Sequence, residues 1–309
     1  MQAIWRDAAR ETLMAALRFL PQPRRKVIDR WLRGREEARK LDLADYVLMS
    51  WGKSGRTWLR VMISRFYQIA YVIPEGQMLE FDNLHRANAA IPRVFVTHGN
   101  YLRDYTGNWT TREEFYGKRI ILLVRDPRDV AVSQYFQWKF RMRPVKKVLN
   151  EYPPHGAEVS VFDFVMNQGA GLAKVLDFLE TWQRELPKTE ASLIVRYEDM
   201  RADPATALHR VLEFLGTPGT AEQIQEAVAY ASYDNMKRLE QSKVFWLSGT
   251  RLRPGDRKNA DSYKTRRGKV GGWRDYFDEP QIAAIDAKLR ERPLPMFGYG
   301  TPEPAARRA

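Results

Sequence analysis

Four short apolar runs constrain the fold of this chain more than any other feature of its sequence. They cover residues 46–50, 92–97, 119–125 and 192–196, and helical patterns follow at about 57–71, 127–143 and 204–215. Alternating strands and helices imply a parallel sheet with helices on both faces. We therefore predict an α/β fold of three layers with a central parallel sheet. In such folds, ligands bind beyond the carboxyl ends of the strands.

The first 40 residues form a separate, strongly basic segment. They carry eleven Lys and Arg against five Asp and Glu, and the whole chain has a formal net charge of +13. Apolar residues recur at helical spacing before Pro21, so we predict a basic amphipathic helical extension over 1–40. Its apolar face either packs on the domain or rests on an anionic membrane surface, and the sequence leaves both open. Residues 41–300 are predicted to form a single domain and 301–309 a flexible tail.

Composition excludes several classes of protein. The chain has no cysteine, which rules out disulfides, thiolate nucleophiles and thiolate metal sites. Its histidines lack the i, i+4 pairing of a helical zinc site, and we expect no metal. No apolar run could cross a bilayer and no signal peptide pattern is present, so we expect a cytoplasmic protein. The positive charge attracts polyanions without distinguishing nucleotides, nucleic acid and membranes.

A glycine-containing turn follows the first predicted strand and opens a helix. Its sequence is Ser50-Trp-Gly-Lys-Ser-Gly-Arg-Thr-Trp58. Backbone N–H groups in such a turn bind anions, and Lys53 adds a cation. A Walker A loop ending at Ser54 would need glycine at position 47, which is Val47. Taken alone, the segment is more typical of an ordinary turn with a surface lysine.

The segment Lys53-Ser-Gly-Arg-Thr-Trp58 resembles the 5′-phosphosulfate loop of the cytosolic-type sulfotransferase family, K-S-G-T-T-W. The resemblance implies a P-loop-like fold and 3′-phosphoadenosine-5′-phosphosulfate as the donor, with 3′-phosphoadenosine-5′-phosphate (PAP) as the product. It assigns the phosphosulfate to Lys53, Ser54, Gly55 and Thr57, and the adenine to Trp58. Arg56 departs from the usual threonine, so it either contacts phosphate or points to solvent.

Two further segments match the same family in the same order along the chain. Arg125 to Ser133 resembles R-x-x-x-D-x-x-x-S, which implies that these two residues bind the 3′-phosphate. An ion pair of Arg125 with Asp129 is the structural alternative. Residues 266–277 resemble R-K-G-x-x-G-x-W-x-x-x-F, which implies phosphate binding by Arg266, Arg267 and Gly268. Weaker matches that suggest the adenine site include Tyr197, Ser232 and Tyr233.

His98 is the candidate general base. It follows a predicted strand in Thr97-His98-Gly99, which resembles the family's K-T-H segment, although Val96 replaces the lysine. An imidazole can take an acceptor proton near neutral pH. A lone histidine is more often structural, but the other three, His85, His155 and His209, lie outside any matching segment.

The resemblance implies in-line transfer of a sulfuryl group to a hydroxyl or amine, with His98 as base and Lys53 stabilising the leaving group. The alternatives are a P-loop-type nucleotide kinase and a non-catalytic nucleotide-binding or peripheral membrane protein; nucleic acid is not expected. Aromatic residues near these segments favour an apolar or amphiphilic small-molecule or lipid acceptor. These aromatic residues are Phe81, Tyr101, Trp109, Phe136, Trp138, Phe140, Phe245 and Trp246. The oligomeric state cannot be predicted from the sequence.

Overall fold

The computed structural model describes residues 10–242 and 254–301. Its centre is a parallel sheet of four strands in the order β2-β1-β3-β4. The strands are β1 (Tyr46–Ser50), β2 (Val94–Thr97), β3 (Arg119–Val124) and β4 (Ala191–Arg196). All three pairings are parallel, with Tyr46 opposite Val94 on one side and Arg119 on the other. The predicted three-layer α/β architecture is confirmed.

The sheet is buried on both faces because its central strands are almost entirely apolar. Every residue of β1 and all but the first of β3 are buried. Alternate side chains of β1 enter two different cores: Val47 and Met49 join one, and Tyr46 and Leu48 join the other. Period-2 alternation into two helical layers is what a covered parallel sheet requires.

Helices form both outer layers. In chain order they are α1 (Gln22–Leu43), α2 (Arg56–Ala70), α3 (Asn83–Ala87), α4 (Leu102–Thr106), α5 (Pro127–Phe140), α6 (Pro144–Leu149), α7 (Val161–Met166), α8 (Leu172–Glu185), α9 (Tyr197–Ala202), α10 (Pro204–Phe214), α11 (Ala221–Tyr230), α12 (Tyr233–Gln241) and α13 (Glu279–Glu291). Residues 10–16 are also helical.

Local sequence explains where the helices nearest the sheet begin and end. Asp126 caps α5, since its side chain accepts a hydrogen bond from the Arg128 N–H, and Pro127 occupies the first helical position. The chain leaves the end of α10 through Gly216, whose φ of 72° suits glycine. These helix boundaries agree with those predicted from the sequence to within a few residues.

The basic N-terminal segment is partly built into the domain. Helix α1 runs through the predicted boundary at residue 40 and packs against α4 and β2. Its Gly34 lies directly against the backbone at the start of α4, since a Cβ at position 34 would lie 2.3 Å from the Tyr101 carbonyl oxygen. Residues 22–43 therefore follow the first of the two interpretations, packing on the domain. Residues 1–9 and 302–309 of the predicted extension and tail lie outside the described residues.

Within the described residues, no helix is both long enough and apolar enough to span a membrane. The expectation of a cytoplasmic protein stays a prediction.

Candidate active site

A cavity of about 1840 Å³ opens at the carboxyl ends of the strands. We call the part lined by residues 50–58, 125–133 and 264–269 the loop half. The part lined by α1, residues 98–103, α6 and α8 is the helix half. The predicted site residues that line the cavity are Lys53, Gly55, Arg56, Thr57, Trp58, His98, Arg125, Ser133, Tyr197, Tyr233, Arg266, Arg267 and Gly268.

Two predicted site residues do not line this cavity. Ser54 is buried in the turn, with 2% of its surface exposed. Ser232 is exposed at the N-cap position of α12, and its side chain forms no capping hydrogen bond. The other residues come from segments up to 215 positions apart in the chain. Most of them follow strands that end at the same edge of the sheet, whereas Tyr233 and the 266–268 segment reach the cavity from the part of the chain after β4.

The turn after β1 is shaped by two residues with positive φ angles. Lys53 has φ 74°, and Gly55, the N-cap residue of α2, has φ 95°. A side chain at position 55 would collide with Tyr197, because a Cβ built there lies 2.5 Å from the ring. The first N–H groups of α2 have no intrahelical partners, so this turn can bind a phosphate or sulfate group.

Trp58 is fixed in the wall of the loop half by contacts on three sides. Its Nε1 donates to the Ala231 carbonyl at 2.8 Å. Its ring centroid lies 6.1 Å from that of Tyr197, and the Arg201 guanidinium lies 5.6 Å from its ring. This places an anchored indole in the cavity wall, where a flat ligand group could contact it.

Asp129 links the two other predicted phosphate-binding segments. Its carboxylate pairs with Arg125 at 3.2 Å and accepts hydrogen bonds from the N–H groups of Gly271 and Trp273, both at 2.9 Å. Arg125 also donates to the carbonyls of Lys53 and Lys269. The ion pair considered as a structural alternative is therefore present, and the same contacts hold Arg125 at the cavity.

The 266–268 segment closes the loop half. The Arg266 guanidinium lies 3.8 Å from the centre of the Phe136 ring and donates to Tyr276 Oη, and the Arg266 carbonyl accepts from Tyr233 Oη at 3.0 Å. Arg267 is more exposed and pairs with Asp275 at 2.7 Å. Arg266 is thus held rigidly, whereas Arg267 remains accessible to an anion.

Lys53 is a cation in an unfavourable environment. Burial lowers its pKa to about 7, and the positive charges of Arg141, Arg125 and Arg266 contribute, partly opposed by Glu240. Two donor atoms near it, Arg125 Nε and Arg141 Nε, are buried with no hydrogen-bond partner among the described residues. Clustered cations and unpaired donors fit an anionic ligand, because its charge would remove the electrostatic cost of assembling them.

Lys264 and Arg141 line the same half and were missed by sequence analysis. Burial lowers the pKa of Lys264 well below its usual value, and the charges of Lys53 and Arg141 lower it further. Glu240 organises this region: it accepts from Arg141 at 2.9 Å and from the backbone N–H groups of Lys264 and Thr265. The available signal was the position of Lys264 two residues before Arg266, in the same basic segment.

His98 is held by hydrogen bonds at both ring nitrogens. Nδ1 lies 2.6 Å from the Ser50 carbonyl oxygen, which can only accept, so Nδ1 carries the proton. Nε2 lies 2.7 Å from Arg56 Nη2 and therefore accepts from the guanidinium. Burial, with the charges of Arg56, Lys264 and Lys146, lowers its pKa well below 6.5, so the ring is neutral near pH 7. Arg56 thus faces the imidazole, not solvent.

Glu37 of α1 supports the segment that carries His98. Its carboxylate accepts from Thr97 Oγ1 at 3.3 Å and from the Tyr101 N–H at 3.1 Å, so it holds the chain on both sides of the histidine. Burial raises its pKa. Sequence analysis did not single out Glu37, because nothing distinguishes one glutamate on a charged helix.

Most of the aromatic residues from which an apolar acceptor was predicted do not line the cavity. Trp138 is 1% exposed in the core, Phe136 and Phe140 stack on each other, and Trp109 is 56% exposed on the surface. Phe81 packs against the core, Tyr101 lines the cavity, and Phe245 and Trp246 lie outside the described residues. Apolar cavity walls come instead from Trp51, Phe115, Tyr152, Phe178 and Trp182.

Over residues 10–242 and 254–301, no group of three or more His, Asp or Glu side chains is arranged to hold a metal ion. Positive charge in the cavity comes from Lys and Arg.

Comparison with known proteins agrees with this geometry. The family model of the sulfotransferase domain matches residues 43–293. "Sulfotransferase 6B1" of Pan troglodytes is 25% identical over 255 residues, covering 80% of this chain and 75% of the relative. "Flavonol 3-sulfotransferase" of Flaveria bidentis is 26% identical over 278 residues, covering 83% and 84%. Mouse sulfotransferase SULT7A1, solved in complex with PAP, shares the fold with a TM-score of 0.54 and 21% identity, over 83% of this chain and 89% of that one.

The family match spans the four strands, the turn of residues 50–58 and the 266–268 segment, which line the loop half of the cavity. This chain therefore belongs to the sulfotransferase family.

Proposed function

We propose that this protein transfers a sulfuryl group from 3′-phosphoadenosine-5′-phosphosulfate to a hydroxyl or amine of a small-molecule acceptor. The observation that carries the proposal is the convergence of Lys53, His98, Arg125 and the 266–268 segment on one cavity. The PAP bound to mouse SULT7A1, which has the same fold, supports the identity of the donor. Flavonol, in the name of one relative, supports a small organic acceptor.

The loop half suits a nucleotide with phosphate at both ends. Lys53 and the first turn of α2 would hold the 5′-phosphosulfate, and Arg125, Ser133 and the 266–268 segment would hold the 3′-phosphate. The Trp58 ring, fixed by Ala231, would contact the adenine. Cationic side chains and N–H groups can neutralise the charge that develops on the leaving phosphate oxygen.

Arg56 decides when His98 can act. In this structure the lone pair of His98 Nε2 accepts a hydrogen bond from Arg56, so it cannot receive an acceptor proton. A donor sulfonate offers the guanidinium a stronger, charge-assisted partner. We propose that donor binding draws Arg56 away from Nε2 and frees the neutral imidazole to act as a base.

The proposed reaction makes one bond to sulfur and breaks another. The acceptor oxygen or nitrogen forms a bond to sulfur, and the bond between sulfur and the 5′-phosphate oxygen breaks. The acceptor proton passes to His98 Nε2, and the leaving phosphate oxygen receives its hydrogen bond from Lys53. His98 needs to take up a proton only as negative charge leaves the acceptor, so a low pKa in the ligand-free protein is compatible with this role.

Replacing His98 by alanine tests the proposal. Release of PAP from the donor in the presence of an acceptor extract should fall by about 10²–10⁴-fold, the usual contribution of a general base, while PAP still binds. His209→Ala is the matched control, because His209 lies on the surface and pairs with Glu213. Retained turnover in His98→Ala would exclude His98 as the base, and absence of any PAP binding by the native protein would exclude the function itself.

We also propose that the exposed side of the N-terminal segment, whose other side packs on the domain, rests on an anionic membrane from which a lipid or other amphiphilic acceptor could enter. Apolar side chains are exposed there: Phe19 by 78%, Val27 by 66% and Trp31 by 41%. Arg18, the residue before Phe19, lines the cavity. Apolar side chains among basic ones are typical of a surface that binds anionic lipid.

Vesicles of phosphatidylcholine, with and without phosphatidylglycerol, test this surface. Native protein should sediment with the anionic vesicles only, and Phe19→Glu with Val27→Glu should abolish that. Val72→Glu is the control, since Val72 is 91% exposed and does not line the cavity. Equal sedimentation of all three proteins would exclude this surface.

A further inference from the structure

Three cations surround one aromatic ring in the helix half. The side chains of Arg30, Arg33 and Lys146 lie 5.3, 5.6 and 5.1 Å from the centre of the Tyr101 ring. Two of them have carboxylate partners: Arg30 pairs with Asp104 at 2.7 Å, and Arg33 pairs at 3.0 Å with Asp29, which it shares with Arg10.

Lys146 differs from its two neighbours. Its Nζ donates to Tyr101 Oη at 3.2 Å, and that hydroxyl donates onward to Asn150 Oδ1 at 3.1 Å. Within the described ranges, Nζ forms no ion pair, and the carboxylates of Asp29 and Glu37 act on it only from beyond ion-pair distance. A half-buried ammonium group normally has an anionic partner, whereas the partner of Lys146 is the neutral phenol of Tyr101.

Lys174 of α8 also contacts Asn150. Its Nζ donates to the Asn150 carbonyl at 2.6 Å and lies 4.8 Å from the centre of the Tyr152 ring. The neighbouring carboxylate, Glu151, pairs with Lys26 at 2.7 Å. Lys174 also has no carboxylate at ion-pair distance among the residues that the structure covers. Asn150 thus contacts the Lys174 ammonium group directly and the Lys146 ammonium group through Tyr101 Oη, and neither forms an ion pair among the described residues.

These two lysines lie in the helix half of the cavity. Both line it together with His98, and the charge of Lys146 is among those that lower the pKa of the His98 imidazole. Under the proposed function, the phosphates of the donor pair with cations of the loop half, about Lys53 and Arg125. The charge of Lys146 and Lys174 is therefore left for a second ligand.

We propose that the acceptor is an anionic amphiphile whose carboxylate, phosphate or sulfate group binds between Lys146 and Lys174 while its hydroxyl or amine lies at His98. The inference rests on the proposed function, since it names the class of acceptor. Trp51, Phe178 and Trp182 line the same cavity and supply apolar walls for the body of the ligand. An anionic head would pair both ammonium groups and remove the cost of their burial.

Binding of decanoate and of decan-1-ol to the PAP-saturated protein tests the proposal, because the two probes differ mainly in their charge. Calorimetry should show decanoate binding at least about tenfold more tightly than the alcohol, the value of one charge-assisted hydrogen bond. Lys146→Gln and Lys174→Gln should each remove most of that preference and leave decan-1-ol binding within about twofold, since they keep the apolar walls. Lys146→Arg should retain it. Lys139→Gln, at a lysine that does not line the cavity, should change neither probe.

Thermal unfolding separates this role from a structural one. If Lys146 awaits a ligand, Lys146→Gln should raise the Tm of the free protein, because it removes a half-buried, unpaired charge. A fall in Tm would show that Lys146 supports the fold and would overturn its assignment as a ligand group.

The two proposals fail in different ways. Equal affinity for both probes, or binding of neither, overturns the anionic acceptor while PAP binding by the same sample keeps the proposed function intact. A sample that does not bind PAP overturns the proposed function itself.

Discussion

The loop half and the helix half of the cavity use charge differently. In the loop half, the carboxylates of Asp129 and Glu240 each accept from two backbone N–H groups as well as from an arginine. In the helix half, Asp29, Asp104 and Glu151 act mainly as partners of cationic side chains. The carboxylates of Asp129 and Glu240 in the loop half therefore fix the backbone, whereas those of the helix half, apart from Glu37, mainly pair with cationic side chains.

This comparison predicts that the loop half carries most of the affinity for the nucleotide. Lys53→Ala should lower turnover by about 10²–10³-fold, because it removes a preorganised cation from the leaving group. PAP release measures turnover, and calorimetry measures PAP binding. Lys269→Ala is the control: Lys269 is half exposed and pairs with Asp275, so its loss should change turnover by less than about threefold. A similar loss in both variants would contradict the special role of Lys53.

The pH dependence of PAP binding tests whether the nucleotide in the loop half needs the ammonium form of Lys53. Burial lowers the pKa of Lys53 to about 7, so a large share of the free protein has lost this proton just above neutral pH. PAP needs the ammonium form, so binding raises the pKa and takes up a proton, and affinity falls as pH rises. We expect a loss of about 15-fold between pH 7 and pH 8.5. Calorimetry in buffers of different ionisation enthalpy would detect the proton, and a flat profile would contradict the assignment.

Asp129→Asn tests whether a carboxylate shapes the loop half. The amide keeps the size of the side chain but sets an N–H₂ group against the backbone N–H groups of Gly271 and Trp273. PAP affinity should fall about tenfold, as expected for the loss of a hydrogen bond to a charged group. Asp163→Asn, at the start of α7 and outside the cavity lining, is the control and should leave PAP affinity unchanged.

The smallest effect on nucleotide binding is expected from a change in the packing of the helix half. In Gly34→Ala, the new methyl group would meet the Tyr101 carbonyl at 2.3 Å and Tyr105 Cβ at 2.8 Å. The free energy of unfolding should fall by about 1–3 kcal/mol, the usual effect of overpacking, with PAP affinity within about threefold. Gly117→Ala is the matched control, because nothing lies within 4 Å of its Cβ position. Denaturant unfolding would measure the free energy of unfolding of both variants, and equal losses of stability would contradict close packing at Gly34.

Sequence reasoning reached the loop half because its residues occupy three contiguous segments. A strand followed by a turn and a helix places Lys53 and Arg125 at the sheet edge whatever surrounds them. Ser54 and Ser232 do not line the cavity, because a residue's place in a motif does not determine the direction of its side chain.

The helix half was not predictable in the same way. Glu37, Lys146 and Lys174 come from three helices that the tertiary structure brings together, and charged residues on helices usually face solvent. The apolar acceptor was inferred from aromatic residues such as Trp138, which is buried in the core, because proximity in sequence does not separate core from cavity. The contact of Arg56 with His98 could not be predicted either, since a long side chain after a turn can point in several directions.

The strand order β2-β1-β3-β4 arranges the groups at the sheet edge as a row. The histidine follows an outer strand, the lysine and the first arginine follow the two inner strands, and Tyr197 follows the opposite outer strand. Neighbouring strands are about 4.8 Å apart, so the row has a fixed spacing set by the backbone. In the mechanism that we propose, the acceptor binds at the His98 end of this row, so the side chains around it can be replaced without changing the spacing of the central groups.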